Sequence, residues 1–557
     1  MTVDEHSQQP TFEPSRRAFA SLLWRLADLV QAAERRRSFR AKAYRQAIWS
    51  LDSLPPSLDA SDEELLATPG IGPGVTSLIN EYRATGSLNQ LVPLEAALPM
   101  DTPRLRRLPR VTPKMLHEMK TGLAVETTED LLAAIETGSA ETLSGVGDQT
   151  LSLWRKILEL PPHPGSVPAH EAWVTAVTLA EHIGSHVGTE VVVSGAVRRV
   201  EEWVDHIDLL AVGENPGGLE AYLEATAALD GDVTVEEGVM TARSHTGTPV
   251  RVHQATPARA GTALLWTTGP PGHAGRITDR PFATEFEAYA SAGLPTIPAP
   301  ARGLDLPVAR AVVTQEDLKG DLQLHTNRSP DGHLPLETIL EMAVARGYAY
   351  LLVTDHTEGL RFGGMGSRQV AEQAEEIEVL RQGFPSVTLF HGAELNIGVD
   401  GGLDLPEEAL AVLDFAVAGI HSHFSLDRDA QTERVLAGMA HPVVKVLAHP
   451  FGRRIGIRPA LDIDMDTVID AAVENGIALE SNGHRDRLDL PADWIARAAA
   501  KGAVFAANSD AHRVPEVDNV GNAIATLQHA GINAERVVNT FPLPEFLDWI
   551  DGALGSR

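Results

Sequence analysis

Apolar residues recur at helical spacing through the front of the chain, as at Phe19, Leu22, Leu23, Leu26 and Val30, in short runs cut by glycine and proline. This spacing predicts an all-α region of many short helices. Between 171 and 300 the period changes. VVVSGAV, IDLLAVG and VTVEEG read as strands and EAYLEATAAL as a helix, so an α/β or α+β segment is expected. From 308 to 557 apolar strand runs alternate with amphipathic helices to the end, which predicts βα units around a parallel sheet or barrel. Two Pro-rich stretches, PPHPGSVPAH at 161–170 and PTIPAPARGLDLP at 295–307, read as linkers and set three segments, 1–160, 171–300 and 308–557.

No apolar run is long enough to cross a bilayer, and the start, MTVDEHSQQP, has neither the n-region nor the h-region of a signal peptide. A cytoplasmic protein without a membrane partner is expected. There is no cysteine, so disulfides and thiolate metal sites are excluded and any ion must be held by imidazole, carboxylate, amide or carbonyl. The net charge of -30 argues against nucleic acid, but its distribution argues the other way. Residues 16–45 carry nine Lys/Arg against two acids, and Arg104–Lys120 carries six against one. A solvated helix face is the bland explanation, and a locally positive DNA-binding face is the sharper one.

The front segment contains a repeated element. ATPGIGPGVTSLINEY at 67–82 and LSGVGDQTLSLWRKI at 143–157 share an apolar-Gly-apolar-Gly turn entering a helix, and LPRVTPKMLHEM at 108–119 keeps the frame with Arg110 and Thr112 at the glycine positions. Glycines let backbone approach a phosphate closely, and amides at the helix start donate to it without reading bases. Gly70, Gly72, Gly74, Gly145 and Gly147 are therefore the candidate DNA contacts; tight interhelical packing is the alternative use of such glycines.

The C-terminal segment carries the densest chemistry. Leu322-Gln323-Leu324 leads into His325 and then Asp331; YLLV at 350–353 leads into Asp355 and His356; VTLF at 387–390 is followed by Glu394; FAVAGI at 415–420 by His421; VKVLA at 444–448 by His449; and VFAAN at 504–508 by Asp510 and His512. In a parallel βα barrel the C-terminal ends of all strands share one face, so these residues should converge. Neutral imidazoles mixed with carboxylates suit Zn²⁺, Mn²⁺ or Fe²⁺, and Glu394 can offer one oxygen to each of two ions. His391 and His423 are expected to point elsewhere. A site of several ions activates water and clamps the attacking and leaving oxygens at phosphorus, so phosphoester hydrolysis is the expected chemistry. Arg453 and Arg454 are candidates to receive the phosphate, with a surface ion pair as the competing explanation.

With these residues in hand, the chain resembles the bacterial family X DNA polymerases that carry a C-terminal PHP (polymerase and histidinol phosphatase) domain. The likeness runs from about residue 15 to 553 through SFRAKAYRQAIWSL, the hairpins, GAVRR followed by IDLL, EFEAYASAGLPTIP, GDLQLHT, TDH, HGAEL, GIHSHF, LAHPFGR and NSDAH. It implies a multidomain fold: a helix-hairpin-helix front end, a nucleotidyltransferase-like palm and a distorted (β/α)₇ barrel. The resemblance also implies two or three divalent ions, Zn or Mn, on His325, Asp331, His356, Glu394, His421, His449, Asp510 and His512. Glu394, Asp510 and His512 are the catalytic candidates, and the implied activity is a 3′-5′ exonuclease on DNA bound mostly through phosphates. The first histidine of the usual H-x-H is Gln323 here, a weaker neutral ligand.

The polymerase half departs further. A family X palm needs two acids spaced D-x-D and a third on a neighbouring strand to hold two Mg²⁺ ions. Here the positions are His206, Asp208 and Arg251, and Asp205 faces the other way by register. The serine of the Gly-Ser turn is Ala196, and TGPPGHA at 268–274 brings Pro270 and Ala274 in place of a serine and an asparagine. Loss of polymerisation and of the palm's Mg²⁺ is expected. Two alternatives stand beside a DNA nuclease: a small-molecule phosphomonoesterase of the histidinol-phosphatase type, and a non-catalytic DNA-binding scaffold.

Overall fold

The computed structural model describes residues 12–34, 38–162, 165–214, 216–309, 311–360 and 363–552. The polar start, Arg35–Arg37 of the basic stretch, residues 163 and 164 of the first Pro-rich stretch and the end of the likeness at 553 lie outside them. The chain is a multidomain mixture of helix and sheet that divides into two compact units. One comprises Met1–Val197, Trp203–Thr268 and Arg280–Ala288; the other comprises Arg198–Glu202, Gly269–Asp279 and Tyr289–Arg557.

The first unit opens with the helices Arg16–Ala33 and Phe39–Ser50. Phe19, Leu23, Leu26 and Val30 are buried along one stripe of the first, as the spacing predicts, and they join a core with Ile48, Leu78 and Trp154. Three hairpin turns enter the helices Pro73–Thr85, Pro113–Leu123 and Asp148–Leu158. Their backbones match. Gly70, Arg110 and Gly145 all take a left-handed conformation, with φ of 87°, 68° and 76°, and each turn closes with a hydrogen bond from an amide to a carbonyl, Ile71 to Thr68, Val111 to Leu108 and Val146 to Leu143. The degraded copy thus keeps its geometry at Arg110, a residue type that pays a steric cost there, and Thr112 caps its helix by accepting from the Met115 amide at 3.2 Å. Because Arg110 replaces a residue with no Cβ, Arg110→Gly is expected to stabilise this unit by about 1 kcal/mol. A denaturant midpoint that falls in the variant would contradict this.

The sheet of the first unit has the order Glu190–Ser194, Ile207–Val212, Pro249–Ala255, Val239–Arg243, Asp230–Glu236, with only the Ile207–Val212 and Pro249–Ala255 pair parallel. VVVSGAV is strand only to Ser194, because Gly195 turns at φ 65° and its missing Cβ would meet the Asp208 carboxylate. Val239–Arg243 is a strand that the sequence reading left out. The Pro-rich stretches are more ordered than linkers. Val167–Pro168 pairs with Trp203–Val204, and in the second stretch Ala299–Gly303 forms a 3₁₀ turn that buries Arg302.

In the second unit, strands alternate with helices and every strand pair is parallel. Gly320–Asp321, Tyr350–Val353 and Thr388–His391 form one sheet; Glu394–Asn396, Ala416–Gly419, Val444–Leu447, Ala478–Asn482 and Phe505–Asn508 form another, in chain order. Bridges at His356 to Glu394 and Leu324 to Ala511 join the ends of the two. The runs are apolar throughout because both faces are covered. Leu351, Val353, Ala416, Ala418 and Leu447 pack with the helices, while Tyr350, Leu352, Phe415, Val417 and Val446 pack on the opposite face with Phe546 and Trp549.

Candidate metal centre

The strands of the second unit end in polar residues. His421 and His449 lie two residues beyond Gly419 and Leu447, Asp510 lies two beyond Asn508, and Glu394 opens its own short strand. His449 and Asp510 hold φ of 28° and 53°, left-handed backbone that a packed β-end does not require and that functional positions often store.

The structure brings the eight predicted side chains together, with Glu394 at the centre. Its Oε1 lies 2.8 Å from His449 Nε2 and 3.0 Å from His421 Nε2; its Oε2 lies 3.1 Å from His356 Nδ1 and 3.4 Å from His325 Nε2. His325 Nε2 also faces Asp510 Oδ1 at 3.2 Å, and its ring stacks on that of His512 with centroids 4.1 Å apart. Asp331 stands at the exposed rim, 3.6 Å from His512 Nε2 and 3.8 Å from His356 Nε2. His391 does turn away, with its Nε2 on Gln373 Oε1, and His423 is exposed, its backbone carbonyl accepting from Gln431.

These groups fit divalent ions. Three sets present donor atoms within 4.8 Å of one another: His325, His356 and His512; His356, Glu394 and His421; His325, Glu394 and Asp510. His325 Nε2, His356 Nδ1, His421 Nδ1 and His449 Nδ1 are buried without a hydrogen-bond partner, which is unusual for imidazole in a protein interior. The protein's own charges are frustrated here. Burial works against a proton on His325, yet the close approach of Asp510 and the charge of Glu394 push it up to about 9. Burial holds His449 down to about 4, with help from the Arg487 guanidinium. Burial opposes charge on Glu394 and Asp510 too, but the neighbouring histidines hold both well below the usual carboxylate range.

Behind the cluster stands a layer that fixes it. Asp355 is fully buried and accepts from the Thr326 amide at 2.7 Å, Thr326 Oγ1 at 2.6 Å, Ser329 Oγ at 2.7 Å and Gln373 Nε2 at 2.6 Å, which sets the loop after His325. Glu480 accepts from the His449 amide at 2.7 Å, from Asn508 Nδ2 at 2.8 Å and from Asn482 Nδ2 at 3.1 Å. Burial and the charge of Asp510 raise its carboxyl well above the ordinary range. Such supporting shells orient ligands and tune their basicity.

The two predicted phosphate residues are engaged elsewhere. Arg453 makes a two-pronged pair with Glu202, at 2.9 and 2.6 Å, and also meets backbone carbonyls; Arg454 pairs with Asp486. The ion-pair explanation describes both, since a guanidinium spent on a carboxylate is not available to a phosphate. Sequence reasoning missed Arg487, whose Nε lies 3.4 Å from Asp510 Oδ2 and whose Nη1 has no partner. Its signal was faint: it follows the strand Ala478–Asn482, which runs parallel to the strands that carry the clustered residues.

In the first unit His206, Asp208 and Arg251, the positions expected to mark a degraded palm, lie together. Asp208 sits directly opposite Arg251 across the parallel pair. Its carboxylate is clasped by two imidazoles, His206 Nε2 at 3.0 Å and His253 Nε2 at 2.9 Å, and Arg251 Nη1 is 3.1 Å from His206 Nε2. Burial opposes its charge, but these hydrogen bonds hold it down to about 2. His253 was not singled out from the sequence. Asp205 accepts from Ser166 Oγ at 2.7 Å. At the hairpins, a Cβ added at Gly72, Gly74 or Gly147 would meet nothing within 4 Å, whereas at Gly70 it would fall 2.7 Å from Ser50 Oγ and at Gly145 3.8 Å from the Met115 methyl. Gly70 and Gly145 form the turns, and Gly72, Gly74 and Gly147 leave the helix starts open.

Residues 14–88 match the helix-hairpin-helix domain family. The chain is 27% identical over 545 residues to the DNA polymerase/3′-5′ exonuclease PolX of Bacillus subtilis, covering 91% of this chain and 94% of that protein. Its C-terminal region is similar to proteins described as probable phosphatases: 28% identity with one from Edwardsiella ictaluri, over 41% of this chain and 98% of that protein, and 29% with one from Syntrophotalea carbinolica, over 40% and 92%. The resemblance read from the sequence is thus borne out along nearly the whole chain. Among the described residues, no helix is long and apolar enough to cross a membrane.

Proposed function

We propose that this protein is a metal-dependent DNA phosphodiesterase of the 3′-5′ exonuclease type, working through residues 308–557, and that its palm no longer polymerises. The observation that carries the reading is the ring of four imidazoles within 3.4 Å of one buried carboxylate, Glu394. Two or three divalent ions, Zn or Mn, would be held by His325, Asp331, His356, Glu394, His421, His449, Asp510 and His512. When bound, such ions supply an activated water and charge for a phosphoryl oxygen. The chain's own residues do the rest: Asp510 and His512 handle the proton at the attacking and leaving oxygens, and Arg487 offers its unengaged Nη1 to the phosphate. Seven parallel strands, counting Thr388–His391 and Glu394–Asn396 as one, support a (β/α)₇ barrel of the PHP type.

Residues 1–160 serve in this reading as the DNA grip, with the amides behind Gly72, Gly74 and Gly147 on phosphates. Residues 171–300 keep a nucleotidyltransferase-like sheet whose carboxylate site is neutralised. Two Mg²⁺ ions repelled by Arg251, with Asp208 already paired to His206 and His253, leave a triphosphate without its counter-charge. A cytoplasmic location accords with this reading.

The test uses DNA labelled at the 3′ end and the Mn²⁺-loaded protein. Label is released by the wild type, release falls by about 100-fold or more in Asp510→Ala, and added dNTPs extend nothing. A 3′ label that survives, or primer extension that Asp208→Ala abolishes, overturns the reading. The similarity to phosphatases favours one rival, hydrolysis of small phosphomonoesters. Gly74→Asp separates the two, because an acid at an open helix start repels DNA but leaves a small substrate untouched.

A further inference from the structure

Gln323 is fully buried, and neither its Oε1 nor its Nε2 has a hydrogen-bond partner. Leu324 bridges Ala511 in parallel and both pack into the core on the helix side, which sets Gln323 alongside Asp510 and His325 alongside His512. The backbone of Gln323 is pinned at both ends. Its amide donates to Asp321 Oδ1 at 3.2 Å, and its carbonyl accepts from Ser509 Oγ at 3.4 Å, one residue before Asp510. A buried carboxamide with both polar atoms idle is rare, because each atom has given up water and received nothing in return. A carbonyl oxygen is, however, an ordinary ligand for a hard or borderline divalent ion.

We propose that Gln323 Oε1 completes the coordination of the ion served by His325, Glu394 and Asp510, and that this ion is the most weakly held of the set. The inference rests on reading the cluster as a metal centre. A neutral amide oxygen contributes less to binding than an imidazole or a carboxylate, so this position loads and empties with the ambient metal while its neighbours stay filled. The activity of the protein then follows metal supply through one residue, and not through the whole centre.

The experiment counts ions in the full-length protein by elemental analysis, after loading with Mn²⁺ and dialysis against metal-free buffer, and titrates Mn²⁺ back. Gln323→Glu keeps the shape and adds charge; Gln323→Met keeps the bulk and removes the ligand. The wild type is expected to lose one ion on dialysis. Gln323→Glu retains it and rebinds Mn²⁺ about tenfold or more tightly, and Gln323→Met fails to regain it at any practical concentration while holding the others. Thermal melting confirms that each variant is folded, and a melt of Gln323→Glu that rises with added Mn²⁺ is a second supporting signal. Equal ion counts and affinities in all three proteins overturn the role of Gln323. A wild type that binds no Mn²⁺ or Zn²⁺ at all overturns the metal centre itself, a failure distinct from the first.

Discussion

Glu394→Gln is expected to abolish both ion retention and phosphoester hydrolysis while leaving the fold in place. Glu394 is 1% exposed and touches four histidines, two through each oxygen. Glutamine has the same shape but can offer only one neutral oxygen, and its NH₂ would point at two of the imidazoles. Ions held on either side of the carboxylate would then lose a shared anion together. Supporting residues of metal sites are worth roughly 10- to 100-fold each, so a bridging ligand should cost more than about 1000-fold in turnover. The fold survives because the second unit is held by two apolar cores, one on each side of its parallel strands, and neither includes Glu394. Elemental analysis and release of a 3′ label, measured on the same preparation, check both halves of the claim. Retention of two or more ions in Glu394→Gln would show that the carboxylate is structural.

The convergence of these side chains was legible from sequence for a geometric reason. Strands covered on both faces write themselves as unbroken apolar runs, and the first polar residue after each run marks the end of a strand; parallel connection then puts those ends together. The hairpins were legible because φ near +70° leaves few residue choices, and even the copy with Arg110 kept the frame. Pair chemistry was not legible. Nothing in HPFGRR says that Arg453 meets Glu202, 251 positions earlier, or that Arg454 meets Asp486. His253 and Arg487 were missed in the same way, since their roles depend on which strand or loop lies beside them. The Pro-rich stretches were misread because proline fixes φ without saying whether the segment is free: Pro168 sits in a strand pair and Ala301 and Arg302 are buried.

The same blindness hid Asp52, whose loss should be the costliest single change in the first unit. It stands in the short 3₁₀ turn Leu51–Ser53, with its side chain fully buried. Its carboxylate gathers donors from segments more than a hundred residues away, His182 Nε2 at 2.8 Å, Tyr222 OH at 2.8 Å, the Ala227 amide at 2.6 Å and Thr226 Oγ1, and from nearer in the chain Arg16 Nε at 3.4 Å. Arg16 and Arg17 add bonds to the carbonyls of Ala225 and Leu223. A cut at residue 160 would therefore strip the sheet-bearing segment of its supports, and substitution at an open hairpin glycine is the cleaner way to test DNA binding. Asp52→Ala leaves four donors, of which Thr226 and Ala227 are fully buried, and a guanidinium without their acceptor, and breaking such a pair costs about 3–5 kcal/mol. The sign with pH follows from the carboxyl itself. Burial opposes its charge, but the hydrogen bonds from His182, Ala227, Thr226 and Tyr222 hold it down to about 2, below the ordinary 3.8. A depressed carboxyl stabilises fully above its unfolded value and loses that contribution as pH falls through the folded one, so the advantage of the wild type should be complete above about pH 4 and shrink toward pH 2. Urea midpoints of wild type and Asp52→Ala at pH 7 and pH 3 measure it. A gap that is absent at pH 7, or that widens in acid, would show that the carboxylate is not what ties these segments together.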